Sequence, residues 1–333
     1  MPQVSVLLPF TDERGMLSES INSILGQSLR DLELILIDNA GDPESRRIAE
    51  TSTERDPRCR LVPEIRPGIS FALNTGIAHA LSAIIARMDA DDVAHPERLQ
   101  RQFEYLCANP GIGAAGCRTQ VDPSTPENEG YRFFVDWQNS LITPEEHSTN
   151  RFIESPLAHP SMMMRKELFE RHGDYSTDPL PEDYELWLRW MQAGVAIGKL
   201  PETLLTWRDR SERLSRNHRN YSEDAFFRTK AKYLKAWLDT NIAENRQVIV
   251  CGGSRHIRKR ITVLQEAGIP VSAVTDVAER TSQELPFIPV KDLPSYRRSF
   301  IISLISKRDV REDIRTFLKS AGFLEMKDFV MAG

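Results

Sequence analysis

Asp89, Asp91 and Asp92 fall within four consecutive positions of the stretch ARMDADDVAHPERL (86–99), directly after the apolar pair Ile84-Ile85. Anions this close repel one another, and a hard divalent cation would relieve the repulsion. Mg2+ or Mn2+ is commonly held by one or two carboxylates together with substrate phosphates. In extended backbone Asp89 and Asp91 point the same way, and a bend at Asp91-Asp92 lets the third carboxylate turn inward. A helix cap is the plainer reading, but a cap needs one Asp, and Asp92 stands too far before Pro96 to be the immediate cap. A calcium loop of the twelve-residue kind, with its central Gly and terminal Glu, is not written here.

Such a cluster needs a rigid edge behind it. VSVLLPF (Val4–Phe10) is a short apolar run suited to a strand buried on both faces. Residues 18–25 carry a helical pattern with Ile21, Ile24 and Leu25 on one face. LELILID (Leu32–Asp38) is a second strand, ending in Asp38 and the turn formers Asn39-Ala40-Gly41-Asp42. A helix over 44–52, a short strand over 60–62, a helix over 71–81 and a strand over 83–89 continue the alternation. This β-α-β-α order predicts an α/β fold, a mostly parallel sheet with helices on both faces. Ligands of such folds sit outside the carboxyl ends of the strands, where Thr11-Asp12, Asp38 and the aspartate cluster all fall. Beyond the cluster, Leu99, Phe103 and Leu106 repeat at helical spacing after Pro96. Residues 122–150, rich in Pro, Ser, Thr, Asn and Glu, predict a long irregular excursion, and EDYELWLRWMQAG (182–194) a strongly aromatic helix stopped by Gly194.

A second αβ pattern begins at RQVIVCGG, runs through HIRKRITVLQEAG and VSAVTD, and ends with SFIISLIS and REDIRTFLKSAG. With 333 residues, more than one core usually organises, the chain reads as three parts. Residues 1–218 form the first domain, 219–244 an amphipathic helical connector, and 245–333 a small Rossmann-like α/β domain. Residues 220–241 put Phe227, Ala231, Leu234 and Leu238 on one face, which packs on the body or lies on a membrane surface. A formal charge of −5 argues against bulk attraction to nucleic acid. The scattered Cys59, Cys107, Cys117 and Cys251 lack metal spacing and read as free thiols of a reducing cytosol. No apolar run nears the ~18 residues of a membrane helix, and Met1-Pro2-Gln3 lacks the basic start of a signal peptide. A cytoplasmic protein is expected, with peripheral contact at the inner face of the membrane and homo-oligomer formation both left open.

Four stretches then resemble the family 2 glycosyltransferases of the GT-A fold, in that family's order and spacing over residues 3–215. They are VSVLLPFTDERGMLSESINSILGQSLRDLELILID, IIARMDADDVAHPERLQRQ, LAHPSMMMRKELFERHGDY and PEDYELWLRWMQAG. The resemblance implies transfer of a sugar from a nucleotide diphosphate donor to an acceptor hydroxyl, with inversion and with Mn2+ or Mg2+. Asp89-Ala90-Asp91 resembles the family's DxD, in which Asp91 would bind the metal and Asp89 would hold the ribose or the metal's waters. Asp38 falls where the family's strand-end Asp meets the base, typically uracil. Pro9, Thr11 and Glu13 belong to the first nucleotide-contacting loop, and Arg66 precedes the helix carrying Asn74, in the segment that closes over the nucleotide. Asp183 matches the catalytic base; an anion favoured at a helix N-terminus is the plainer reading of the same residue. Glu182, Trp187 and His159 are candidates to line the acceptor site, with core packing an equal reading of Trp187 and an architectural role open for His159.

The chain also departs from the family pattern. Thr11 stands where an aromatic often stacks on the base, and Asp38-Asn39-Ala40-Gly41 replaces the usual DDGS. The resemblance implies donor binding by Arg208, but Arg210 takes the place of a His that completes the metal or diphosphate site; an arginine there could hold the diphosphate directly as a cation, with His218 a weaker substitute. The segment VIVCGGSRHIRKRITVLQEAGIPVSAVTD resembles the N-terminal domain of sugar O-acyltransferases, with Asp276 at the position of a ribose-binding acid. Its Gly252-Gly253-Ser254 is not a full dinucleotide fingerprint, so a docking or structural role is favoured there. The expected function is a metal-assisted, inverting glycosyltransferase using a UDP-sugar and a glycan or lipid-linked acceptor in bacterial surface polysaccharide or glycoconjugate synthesis. A non-catalytic nucleotide-sugar-binding or scaffold protein is the alternative.

Overall fold

The computed structural model describes residues 1–12, 15–123, 129–208, 218–243, 246–277 and 285–333. The chain forms two compact units, one of residues 1–147 and 156–217, the other of residues 148–155 and 218–333.

The first unit is built on an eight-stranded sheet. Its strands are β1 (Val4–Phe10), β2 (Leu32–Asp38), β3 (Cys59–Pro63), β4 (Ile84–Arg87), β5 (Val93–Ala94), β6 (Ile112–Val121), β7 (Met163–Arg165) and β8 (Ala196–Trp207). They lie in the order β3-β2-β1-β4-β7-β6-β8-β5. The first four are mutually parallel, β7 runs antiparallel between β4 and β6, and the short β5 is antiparallel to β8. Every residue of β1 and β2 is buried, as their unbroken apolar character predicts. Side-chain alternation sends Val6, Leu8, Leu34 and Leu36 to one core and Leu7, Ile35 and Ile37 to the other. The first core is covered by α1 (Met16–Leu25), α2 (Pro43–Arg55) and α4 (Arg98–Ala108), the second by α3 (Ile69–His79), α7 (Glu167–His172) and α8 (Glu182–Gln192). Helices on both faces of a parallel-dominated sheet are what the βα alternation predicts.

One expectation is corrected here. Residues 122–150 are not an irregular excursion, because they contain α5 (Glu129–Ser140) and α6 (Pro144–Asn150). Polar flanks dominate the composition of this stretch. Between them Tyr131, Phe134, Val135 and Gln138 recur at helical spacing, with Val135 and Gln138 buried.

The second unit holds a five-stranded, all-parallel sheet in the order β11-β10-β9-β12-β13. The strands are β9 (Val248–Cys251), β10 (Val271–Asp276), β11 (Phe287–Pro289), β12 (Phe300–Ser303) and β13 (Phe329–Met331). Its helices are α9 (Glu223–Asn241), α10 (Arg255–Glu266) and α11 (Arg308–Ser320). Ser222 and Ser254 cap α9 and α10 through their hydroxyls. The apolar face of α9 is buried within this unit: Ala231 and Leu234 are inaccessible, and Trp237 meets Phe152 and Phe300 at ring distances of 6.0 Å. That face is occupied by packing, so the membrane-surface reading of this helix loses its apolar stripe. No helix among the described residues is long and apolar enough to cross a membrane.

Candidate active site

The aspartate cluster sits where β4 leaves the sheet. The Met88 amide still donates to the Leu7 carbonyl at 3.0 Å, after which the chain turns. In this turn the carboxylate oxygens of Asp89, Asp91 and Asp92 lie within 4.8 Å of one another.

Three elements fix the turn. From α1, the Ser20 hydroxyl contacts the carbonyls of Ala90 (2.9 Å) and Asp92 (2.5 Å), and the Ser23 hydroxyl accepts from the Ala94 amide at 3.1 Å. Gln27, one helical step further, donates to the His95 carbonyl and accepts from the Leu99 amide. From α4, the fully buried Arg98 donates to the Arg87 carbonyl at 2.5 Å and to Gln102 at 3.1 Å. Gln102 in turn donates to the carbonyls of Ala115 and Ser161. At the end of β8, the Arg208 amide donates to an Asp92 carboxylate oxygen at 2.9 Å. Its guanidinium spans the Asp91 carbonyl, Asp122 and Glu19 at 3.0, 3.0 and 2.6 Å. Arg87 pairs with Asp89. The repulsion read from the sequence is thus offset in part by arginines of the chain itself. Sequence reasoning found Arg208 but missed Ser20, Gln27, Arg87, Arg98 and Gln102. The signal available for Ser20 was a serine set within the apolar stripe of Leu17, Ile21 and Ile24, and for Arg98 a charge with Gln102 four residues on, both beside the apolar Leu99 and Leu106.

The nucleotide-side candidates gather at the carboxyl ends of β1, β2 and β3. Pro9 lacks an amide hydrogen, yet sits in a central strand. It is tolerated because the β4 pairing of β1 stops at Leu7 opposite Arg87. Thr11 is exposed just beyond. Asp38 is aligned with Phe10 and nearly buried; it accepts from the Gly41 amide and from Arg46, both at 2.7 Å. Gly41 is required by close approach, since a Cβ would stand 2.7 Å from the Phe10 ring and 2.8 Å from Asp38. Asn39 donates to the carbonyls of Glu64 and Arg66 (3.0 and 2.7 Å) and accepts from the Gly68 amide (2.9 Å). An ionised acid there could not donate to those carbonyls. The Glu64 carboxylate, bonded by the Arg66 guanidinium and the Thr75 hydroxyl, is held down at about 2. Arg66 itself is largely exposed and lies over the Phe71 ring at 4.7 Å. The Asn74 side chain is engaged with the backbone of Tyr175, donating to its carbonyl (2.9 Å) and accepting from its amide (3.0 Å). Glu13 and Arg210 lie outside the described residues.

Asp183 is the second residue of α8 and accepts from the Tyr184 amide at 2.7 Å. Burial pushes its carboxyl up to about 6, against the lowering pull of that amide and of Arg87, while Asp89 adds to the rise. Asp183 and the aspartate turn therefore share one electrostatic neighbourhood. Behind it, Trp187 is completely buried, with ring distances of 5.6 Å to Trp190 and 5.9 Å to His159. Of the two readings of Trp187, the structure selects core packing. His159 is buried and meets the Tyr175 hydroxyl at 2.8 Å, and desolvation holds its imidazole well below the usual range, so it stays neutral. Glu182 is buried as well. Arg189 fastens α8 to the preceding loop, pairing with Glu185 and donating to the carbonyls of Gly173 and Asp174 at 2.7 Å.

The family model for glycosyl transferase family 2 matches residues 5–173. The chain is a family 2 glycosyltransferase. This glycosyltransferase is 30% identical over 246 residues to the O-antigen biosynthesis glycosyltransferase WbnJ of Escherichia coli, covering 72% of this chain and 92% of the relative. Its fold is similar to that of S. aureus TarS residues 1–349, solved in complex with UDP-GlcNAc, with a TM-score of 0.58 at 15% identity over 80% of this chain and 71% of that one. The mannosyltransferase PcManGT of Pyrobaculum calidifontis, solved with GDP-Man and Mn2+, matches with a TM-score of 0.50 at 20% identity over 80% and 69%. At these identities the two structures speak for the GT-A fold.

Proposed function

We propose that the first unit transfers a glycosyl group from a UDP-sugar to an acceptor hydroxyl with inversion, in the assembly of a bacterial surface polysaccharide on the cytoplasmic side of the membrane. The observation that carries this reading is the Asp89, Asp91 and Asp92 cluster where β4 leaves the sheet, beside the half-buried Asp183 carboxyl, which burial and Asp89 raise to about 6. A base of that strength is ionised at neutral pH and still able to take a proton. In the reaction it removes the acceptor hydroxyl's proton as that oxygen bonds to the anomeric carbon. The bond from that carbon to the diphosphate oxygen breaks on the opposite side, which inverts the configuration.

Three clustered carboxylates are a fitting donor set for a hard divalent ion, and Asp91 with Asp89 would hold Mn2+ or Mg2+. Such an ion supplies positive charge that offsets the charge developing on the diphosphate leaving group. Asp38, Pro9 and Thr11 would meet the nucleoside, and exposed Arg66 would close over it. With its guanidinium spread over Glu19, Asp122 and the Asp91 carbonyl, Arg208 supports the turn from behind. TarS, of the same fold, is solved with UDP-GlcNAc and PcManGT with GDP-Man, so the choice of UDP rests on Asp38 at the base position, while the similarity to WbnJ supports polysaccharide assembly.

The second unit reads as a Rossmann-like docking or structural module. Its strand order supports that reading. The Asp276 carboxylate, at the position of a ribose-binding acid, accepts from the Gly253 amide at 2.9 Å.

Calorimetric titration with UDP, GDP, CDP and dTDP, with and without Mn2+, tests the donor reading. Metal-dependent UDP binding that weakens in Asp91→Ala is expected. Metal-independent binding, or preference for another base, overturns the corresponding part.

A further inference from the structure

Arg87 is the last residue of β4 and only 4% exposed. Its backbone is fixed at both ends: the amide donates to the Met162 carbonyl at 2.9 Å, and the carbonyl accepts from Arg98 at 2.5 Å. Its guanidinium is paired with Asp89, while its buried Nε has no hydrogen-bond partner among the described residues. The charged and titratable groups facing it are Asp89, Asp92 and Tyr175, with His159, Asp183 and the buried Arg98 also in its field. A guanidinium is always charged and presents its donors in a fixed plane, so it can orient a carboxylate as well as neutralise it. At this depth its charge is poorly screened.

We infer that Arg87 is a positioning residue for glycosyl transfer, which orients the Asp89 carboxylate and, as the turn's built-in counter-cation, holds its affinity for divalent metal below what three carboxylates would otherwise give. This rests on the proposed reading of the turn as the metal site. The two effects of the residue oppose each other in a way that a merely structural arginine does not reproduce. Its charge works against cation binding, and its geometry works for turnover.

Arg87→Gln and Arg87→Lys of the full-length protein test the inference. Free Mn2+ is measured by electron paramagnetic resonance in the presence of UDP, and turnover is measured separately as kcat and KM. Arg87→Gln is expected to bind Mn2+ about tenfold more tightly, the effect of removing one nearby charge in a poorly screened site, while kcat falls. Arg87→Lys keeps the charge and loses the planar fork, so Mn2+ affinity stays near wild type while kcat still drops. A double-mutant cycle with Asp89→Asn is expected to show strong coupling. Weakened Mn2+ binding in Arg87→Gln, unchanged kcat in both variants, or additivity with Asp89→Asn each overturns the inference. If Asp91→Ala leaves Mn2+ binding of the otherwise wild-type protein intact, the metal reading itself has failed, a result separable from any of these.

Discussion

At the scale of single residues, the site works through groups whose surroundings set their chemistry. Burial lifts the Asp183 carboxyl to about 6, so the fraction of ionised base falls as pH drops through that value. Transfer measured as kcat/KM should decline on the acid side near pH 6, and lower still where a bound cation favours the carboxylate. Asp183→Asn should retain donor binding and lose transfer by about 10²–10⁴-fold, the usual share of a general base. Full residual transfer in that variant would remove Asp183 from the role. Asn39 gives a different kind of prediction, because both ends of its amide are used on backbone groups of the loop after β3. Asn39→Asp places an anion against two carbonyls that have lost their donor, and should cost about 2 kcal/mol in denaturant unfolding. The residue identity was readable in the sequence, but the reason for it was not, since its partners stand some 25 positions away.

Among the elements, α1 matters more than its distance from the aspartates in the chain suggests. Ser20, and Gln27 just beyond the helix end, reach residues 68 to 72 positions away and staple the turn to this part of the chain. Ser20→Ala removes the single hydroxyl donor shared by the Ala90 and Asp92 carbonyls in a buried place, which should lower stability by about 1–2 kcal/mol and weaken Mn2+-dependent UDP binding in the same titrations. Unchanged binding in a destabilised Ser20→Ala protein would separate the helix from the site. The strands and most helices were legible from period alone: β1, β2, β9 and β10 are short apolar runs, and α4 repeats at 3.6. α5 was not, because its amphipathic face lies between polar and proline-rich flanks. The short β5, β7 and β13 leave no period long enough to read.

For the whole molecule, the division into two units does not follow one cut in the chain. Residues 148–155 belong with the second unit although residues 156–217 return to the first. Phe152 and Ile153 are buried there, Phe152 beside Trp237, and the Ile153 carbonyl accepts from the buried Lys230 at 2.8 Å. A chain truncated after residue 217 should therefore expose both side chains, each forfeiting about 2–3 kcal/mol of apolar burial. Such a chain should aggregate by light scattering unless Phe152 and Ile153 are replaced by polar residues; a stable, monomeric truncation would show that the segment folds without its partners. The sequence by itself determined the family, the α/β layering and the carboxyl-edge position of Asp38 and the aspartate cluster, because strand burial, helical period and a four-motif order are local properties of the chain. Tertiary structure alone decided which arginines stand against the aspartates, that Trp187 is core and Asn74 a brace for Tyr175, and that Asp183 shares the field of the turn. Those are long-range pairings, and their partners are chosen by packing in three dimensions rather than by any spacing along the sequence.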